Sequence, residues 1–179
     1  IGNASQPGLL LDGSAGDIHL DSDINLSISS GGSGTAVGST LGAIVNVAGD
    51  NTIAGYVSVI NGGGGQGKIY VQAGTLTING DVDADGANGN RTIILGGVAS
   101  GTVNGVISDY NSVTDSVVGL TKSDSGTWTL NGANSFTGGI NITDSTLKVG
   151  SILGSTQEQP LSTGTAAICP GTATAATLD

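Results

Sequence analysis

Short stretches in which apolar and polar residues alternate recur along nearly the whole chain. Each stretch is rich in β-branched residues and is closed by Gly, Asn or Asp, a pattern typical of strands bounded by turns. The first runs over residues 17–29, where Ile18, Leu20, Ile24, Leu26 and Ile28 fall on one side, with a phase change near residues 21–23. The others are AIVNVAG, YVSVIN, KIYVQAGTLTING, RTIILGG, GTVNGVISD, GTWTLNG and GINITDSTLKVG. The pattern predicts about ten strands and no helix, since no stripe of helical period is present.

Internal repetition accompanies the alternation. GTLTING at 74–80 and GTWTLNG at 126–132 are nearly the same seven letters, 52 residues apart. A longer phrase, N-x-[IF]-x-G-x-[VI]-x-[VI], occurs at 51–59 and at 134–142, an offset of 83. Each copy is followed by a Thr-Leu strand, Thr75-Leu76 in one and Thr146-Leu147 in the other, and the related copy therefore extends over 51–80.

Repeats of short strands with variable turns favour a solenoid over a sandwich or barrel, because each coil contacts only its neighbours and insertions bulge at corners. We therefore predict an all-β fold, a right-handed, single-stranded parallel β-helix, with residues 1–179 forming one segment. At roughly 20 residues a coil and about 4.8 Å between stacked strands, it would have about eight coils and a length on the order of 40 Å.

The composition agrees with a fold of strands and turns. The chain has 179 residues, of which 33 are glycine, against about 7% in average proteins. Only one glutamate, Glu158, is present, and the other 13 of the 14 acidic residues are aspartate, which favours turns over helices. The single cysteine, Cys169, excludes an internal disulfide and is expected to be a small, at least half-buried side chain.

Residues 120–151, LTKSDSGTWTLNGANSFTGGINITDSTLKVGS, carry a more specific pattern. They resemble the autotransporter-associated β-strand repeat of bacterial passenger regions, LTK-x-G-x-G-T-L-T-L-x-G-x-N-x-[YF]-T-G-G-T-x-[IV]-x-x-G-T-L-x-[VL]-G. The matching positions are Leu120, Thr121, Lys122, Gly126, Thr127, Leu130, Gly132, Asn134, Phe136, Thr137, Gly138, Gly139, Ile142, Thr146, Leu147 and Gly150. Three positions depart from it, with Trp128 for Leu, Ile140 for Thr and Ser145 for Gly. The resemblance implies a right-handed parallel β-helix shaft of a surface or secreted protein, and no shared catalytic site.

Charge limits the partners. The 14 acidic and 4 basic side chains give a net charge of −10, and Lys68, Arg91, Lys122 and Lys148 are scattered singly along the sequence. Because phosphate binding needs clustered Lys or Arg, we expect no nucleic acid partner.

No apolar run of 18 residues is present, so we expect no membrane insertion by this segment. The C-terminal TATAATLD resembles the start of a strand, so we expect a longer protein or an assembly, and self-association or continuation of the same helix.

A low-specificity metal motif follows the first repeat. Asp81, Asp83, Asp85 and Gly86 spell D-x-D-x-D-G, the first half of a calcium loop, in which alternate carboxylates converge on one ion. Thr92 stands where an EF-hand has its bidentate Glu, which excludes an EF-hand and leaves either a looser calcium site or a plain corner. Asp17, Asp21 and Asp23 form a second acidic patch, and the alternation places Asp21 and Asp23 on the outer face.

Catalytic and nucleotide motifs are weak. GGGGQG contains G-x-G-x-x-G at Gly62, Gly64 and Gly67, but a strand follows where a dinucleotide site needs a helix, so a corner is predicted. The only histidine, His19, is interpreted as structural, and no catalytic signature is present, so no enzymatic activity and no required cofactor are expected. The Thr-x-Thr pairs, among them Thr75/Thr77 and Thr127/Thr129, are interpreted as a wet outer face.

The function predicted from these observations is that of a structural, extracellular or cell-surface, outer-membrane-associated β-helix shaft. It would act in adhesion or as the subunit of a self-assembling fibre. One alternative is a binding module that holds calcium or surface glycans with outward polar groups and with the aromatics Tyr56, Tyr70 and Tyr110. A second alternative is a polysaccharide-degrading β-helix enzyme.

Overall fold

Every strand in the computed structural model runs parallel to its neighbours, and the strands form three sheets. The structure describes residues 8–29, 42–60, 65–84, 89–109, 117–143 and 145–149, and the backbone of strands 168–170 and 177–178. The strands are β1 Leu9–Asp12, β2 His19–Leu20, β3 Leu26–Ile28, β4 Ile44–Ala48, β5 Asp50–Ile53, β6 Val57–Val59, β7 Gln66–Val71, β8 Thr75–Ile78, β9 Val82–Ala84, β10 Arg91–Gly97, β11 Ser100–Val103, β12 Val118–Lys122, β13 Thr127–Leu130, β14 Ile140–Ile142, β15 Thr146–Val149, β16 Ile168–Pro170 and β17 Thr177–Leu178.

The chain visits the sheets in turn, and the first, second and third sheets form the first, second and third walls of the β-helix. Each described circuit adds one strand to the first wall and one to the second. The first sheet has the order β1-β4-β7-β10-β12-β14-β16, and the second, written from the N-terminal side, β2-β5-β8-β11-β13-β15-β17. The third sheet, as far as the structure describes it, has the order β3-β6-β9 and is extended by a parallel bridge between Val82 and Ile107. This is a parallel β-helix, as predicted. The described residues include no helix long and apolar enough to cross a membrane.

The core is a column of aliphatic side chains stacked in register. On the first wall Leu9, Ile44, Ile69 and Leu95 are paired in sequence from coil to coil. On the second wall Ile53, Ile78, Val103 and Leu130 do the same. Almost all of these side chains are fully buried, because the in-and-out alternation of each strand is matched by the strand above it. The interior consists mainly of aliphatic residues, with Trp128 and Phe136 as its aromatic members in the described region.

Coil length varies more than the sequence indicates. Ile44 pairs with Ile69, 25 residues further on, while Leu9 pairs with Ile44 at a distance of 35. Among the described strands, only the steps from β12 to β14 and from β13 to β15 have the expected length of about 20 residues, since Leu120 pairs with Ile140 and Trp128 pairs with Leu147. The first and second sheets have seven strands each within the described part of the chain, and the predicted number of about eight coils is not confirmed.

The repeated phrases have different structural meanings. GTLTING and GTWTLNG are both second-wall strands, β8 and β13, with β11 stacked between them. The Thr-Leu strands at 75–76 and 146–147 also share that wall. The phrase with offset 83 does not stack: 51–53 and 57–59 lie in the second and third sheets, whereas 140–142 lies in the first. The same letters therefore recur one wall further on, since every wall requires the same alternation and turn.

One predicted inward side chain is exposed. Ile24 is 42% accessible, although the alternation places it with Leu26 and Ile28, which are buried. Residues 21–25 form the corner between the second and third walls, where Ile24 N–H donates to the Asp21 carbonyl in a turn. The strand alternation therefore stops before Ile24 and begins again at Leu26.

A row of glycines closes the strands of the second wall. Gly55, Gly80, Gly105 and Gly132 follow consecutive strands, and a Cβ at Gly80, Gly105 or Gly132 would lie 2.1 Å from the carbonyl oxygen of the preceding glycine. The turn brings the backbones of adjacent coils too close for any side chain. The Asn-Gly ends of the repeated phrases are therefore fixed by stacking as well as by the turn.

We predict that Gly105→Ala lowers the free energy of unfolding by about 1–3 kcal/mol, because the new methyl group overlaps the Gly80 carbonyl. The matched control is Gly119→Ala, since a Cβ there meets no atom closer than 3.6 Å. That change should be neutral or stabilising by up to about 1 kcal/mol. Chemical denaturation of both variants tests this, and equal destabilisation would contradict the glycine row.

Candidate functional site

The outer face of the second wall carries in-register rows of polar side chains. Thr52, Thr77, Thr102 and Thr129 are consecutive partners on β5, β8, β11 and β13. At the end of these strands the amide of Asn104 donates to Asn79 Oδ1, and that of Asn131 donates to Asn104 Oδ1, both at 2.8 Å. The predicted wet face of threonines is confirmed for the described pairs. The hydrogen-bonded amides of Asn79, Asn104 and Asn131 form a ladder that links successive coils on the solvent side of this wall.

Trp128 occupies the inner column of the second wall inside the recognised repeat. Its register partner on the preceding coil is Gly101, and a Cβ at Gly101 would approach the indole ring to 2.6 Å. The indole Nε1–H donates to the Gly96 carbonyl at 3.0 Å, and the side chain is fully buried. The departure from Leu at this position is therefore matched by the absence of a side chain one coil below.

Lys122 is the charged residue of the repeat that lies in the core, which the sequence did not indicate. It lies in the aliphatic column of the first wall, between Leu95 and Ile142, with no accessible surface. Its Nζ donates to the carbonyl oxygens of Ser123 at 2.5 Å and Asp124 at 3.0 Å. Burial, with a smaller effect of Lys68, lowers its pKa to about 8, although Asp124 opposes the change. The alternation Val118, Leu120, Lys122 was the available signal.

Lys122 belongs to a charged corner that also contains Asp124, Lys68 and Tyr70. Lys68 Nζ lies 3.5 Å from Asp124 Oδ2 and 5.1 Å from the centre of the Tyr70 ring. Burial raises the pKa of Asp124, but the Gly97 N–H donor and Lys68 outweigh it, so that the pKa is lowered overall. Lys68 and Lys122, scattered in the sequence, are thus brought together by stacking.

The candidate calcium ligands do not form a described cluster. Asp81 is exposed and its Oδ1 accepts from Val106 N–H at 2.7 Å, while Asp83 is 8% accessible and accepts from the Ser58 hydroxyl at 3.2 Å. Asp85 lies outside the described residues. Within the described ranges no group of three or more His, Cys, Asp or Glu side chains could hold a metal ion. Calcium binding stays a prediction.

The other residues considered for binding are not brought to one place. Tyr56 is at the corner between β5 and β6, Tyr70 is on β7 of the first wall, and Tyr110 lies outside the described residues. His19 is exposed at the start of β2, not enclosed by its apolar neighbours. Cys169 is in β16, for which only the backbone is described, so its predicted burial stays a prediction.

Comparison with known families agrees with the geometry of the repeat. Residues 120–149, which extend from the third residue of β12 to the end of β15, match the family model of the passenger-associated-transport-repeat. This segment carries an autotransporter passenger repeat. The resemblance inferred from residues 120–151 is confirmed, and the repeat includes Lys122 and Trp128, the two residues whose burial is described above.

A relative extends the similarity beyond this segment. The adhesin BmaC autotransporter of Brucella suis biovar 1 (strain 1330) is 36% identical over 101 residues, which is 55% of this chain. The chain spans about 3% of the length of that protein. No solved structure matches.

The Gly101 and Trp128 pair gives a double-mutant prediction. Gly101→Ala should cost about 1–3 kcal/mol by overlap with the indole, and Trp128→Leu about 1–3 kcal/mol by leaving a cavity. The combined variant should be less destabilised than the sum, with a coupling of about 0.5–3 kcal/mol. Unfolding in denaturant measures the cycle. Strict additivity would show that the two residues do not share one space.

Lys122 predicts a particular pH dependence of stability. Its pKa is about 8 in the folded chain and 10.5 in the unfolded chain, so between these values the unfolded chain binds the extra proton. The contribution of Lys122 to the free energy of unfolding should therefore rise from pH 8 to pH 10.5. Lys122→Met should remove this rise, whereas Lys148→Met, at an exposed position, should keep it. Identical pH profiles for wild type and Lys122→Met would refute the assignment.

Proposed function

We propose that this chain is a non-enzymatic β-helix shaft of a bacterial surface or secreted protein of the autotransporter type, and that it serves adhesion. The observation that carries the proposal is the parallel stack itself, with a passenger repeat across β12 to β15. The ladders on the first two walls and the dry column between them resist bending, and they protect the backbone of the described strands from proteases.

A structural role agrees with the use of two of the four basic side chains, Lys122 and Arg91. An enzyme acting on acidic sugars needs basic groups open to substrate, but Lys122 is buried and donates to two main-chain carbonyls. Arg91 is 3% accessible, and its Nη1 donates to the carbonyls of Gly89 and Asn90. These cations stabilise corners of the helix, which favours a shaft over a glycan-degrading enzyme.

Adhesion is favoured over fibre assembly by the similarity to an adhesin autotransporter. The relative has many times the length of this chain, which supports a role for the chain as one section of a long passenger. The polar rows of the second wall support a section that faces solvent along its side, since threonine and asparagine keep a regular sheet hydrated.

We predict that the chain, displayed on a non-adherent bacterium through a passenger-type translocator, is labelled by antibody, resists protease and increases attachment to host cells or matrix. Gly105→Ala/Gly132→Ala should lose protease resistance and attachment, because both added methyl groups overlap a neighbouring coil. Thr102→Ala on the outer face is the matched control. Attachment unchanged by loss of the folded stack, or release of sugar from polygalacturonate by the purified chain, would overturn the proposal.

A further inference from the structure

A groove of about 510 Å³ lies over the first wall where β10, β12 and β14 are stacked. Thr92 is the register partner of Gly119, and Thr121 is that of Asn141, so the groove follows outward positions of three consecutive coils. Its volume is within the range of small-ligand sites in proteins, about 300–1,000 Å³.

The floor of the groove is open because glycine occupies an outward position. A Cβ at Gly119 would meet no atom closer than the Gly139 carbonyl oxygen at 3.6 Å. The next glycine along the lining, Gly138, is different, since its Cβ would lie 2.3 Å from the Val118 carbonyl. Packing therefore requires glycine at position 138 but not at position 119. Because Gly119 has no side chain, space is left above the sheet there.

The groove offers neutral hydrogen-bonding groups. Thr92 and Thr121 supply hydroxyls, and Asn90 and Asn141 supply amides. No carboxylate is among the described lining residues, and the one charged group, that of Arg91, is buried against main-chain carbonyls. A net charge of −10 further disfavours anionic ligands.

The neutral hydroxyl and amide groups of the groove are suited to a ligand that carries many hydroxyl groups. An extended peptide would need an open sheet edge for main-chain pairing, but β12 is already paired on both sides, with β10 and β14. We propose that the groove binds a short, uncharged oligosaccharide, whose hydroxyls pair with the threonine and asparagine side chains while a ring lies over Gly119. This inference rests on the proposed adhesive function and gives it a ligand class and a site.

The test uses the complete 179-residue chain on an array of neutral and acidic glycans, followed by calorimetry with each neutral oligosaccharide that binds. Gly119→Val fills the floor, and Asn141→Ala removes one exposed amide. Each should weaken binding at least about tenfold. Thr102→Ala, an outward threonine on the second wall, should bind as wild type does. Circular dichroism and the thermal midpoint establish that all variants are folded.

The outcomes separate the groove from the shaft. Three results would overturn glycan binding by the groove: the chain binds no neutral glycan, it binds acidic glycans alone, or folded Gly119→Val and Asn141→Ala bind as well as wild type does. Displayed cells that attach equally with Gly119→Val and with wild type would overturn it too, while the adhesive shaft would stand. If the wild-type chain binds glycan but gives displayed cells no gain in attachment, the adhesive function would be overturned and the glycan-binding groove would stand.

Discussion

Parallel register between successive coils is the constraint on which the rest of this structure depends. Because each strand pairs directly with the one before and after it, a side chain has the same two neighbours about 4.8 Å away along the stack. The inner columns must therefore be compatible rung by rung. Isoleucine, valine and leucine meet this requirement with little adjustment, and two of the exceptions, Lys122 and Trp128, show how a larger polar or aromatic side chain is accommodated.

Both of these side chains are accommodated by main-chain groups, which belong to the same coil for Lys122 and to the preceding coil for Trp128. The lysine that interrupts an aliphatic column turns its ammonium group to the carbonyls of Ser123 and Asp124, at the end of β12. The indole finds its volume over Gly101 and its hydrogen-bond acceptor at Gly96. A buried polar group is tolerated when it is fully hydrogen-bonded, and here the corners between walls, where carbonyls leave the ladder, provide the acceptors.

The same register organises the outside, where it produces surfaces. Threonine and asparagine rows on the second wall follow from identical positions in successive coils, and the groove on the first wall follows from Gly119 in such a row. Variation at outward positions leaves the core untouched, because inward and outward side chains belong to alternate residues. A passenger-type β-helix can therefore change its contacts with partners while its shaft stays the same.

The sequence by itself determined the all-β class, the parallel stacking and the passenger repeat, because alternation and turn residues are local signals that each coil repeats. It indicated about ten strands where the structure describes seventeen. It also determined which of Trp128 and its threonine neighbours faces inward. Only the tertiary structure decided coil lengths, the wall on which 51–59 and 134–142 lie, and the meeting of Lys68 with Asp124, 56 residues apart. These depend on how far each corner extends before the chain returns to the stack, and corner length has no periodic signature.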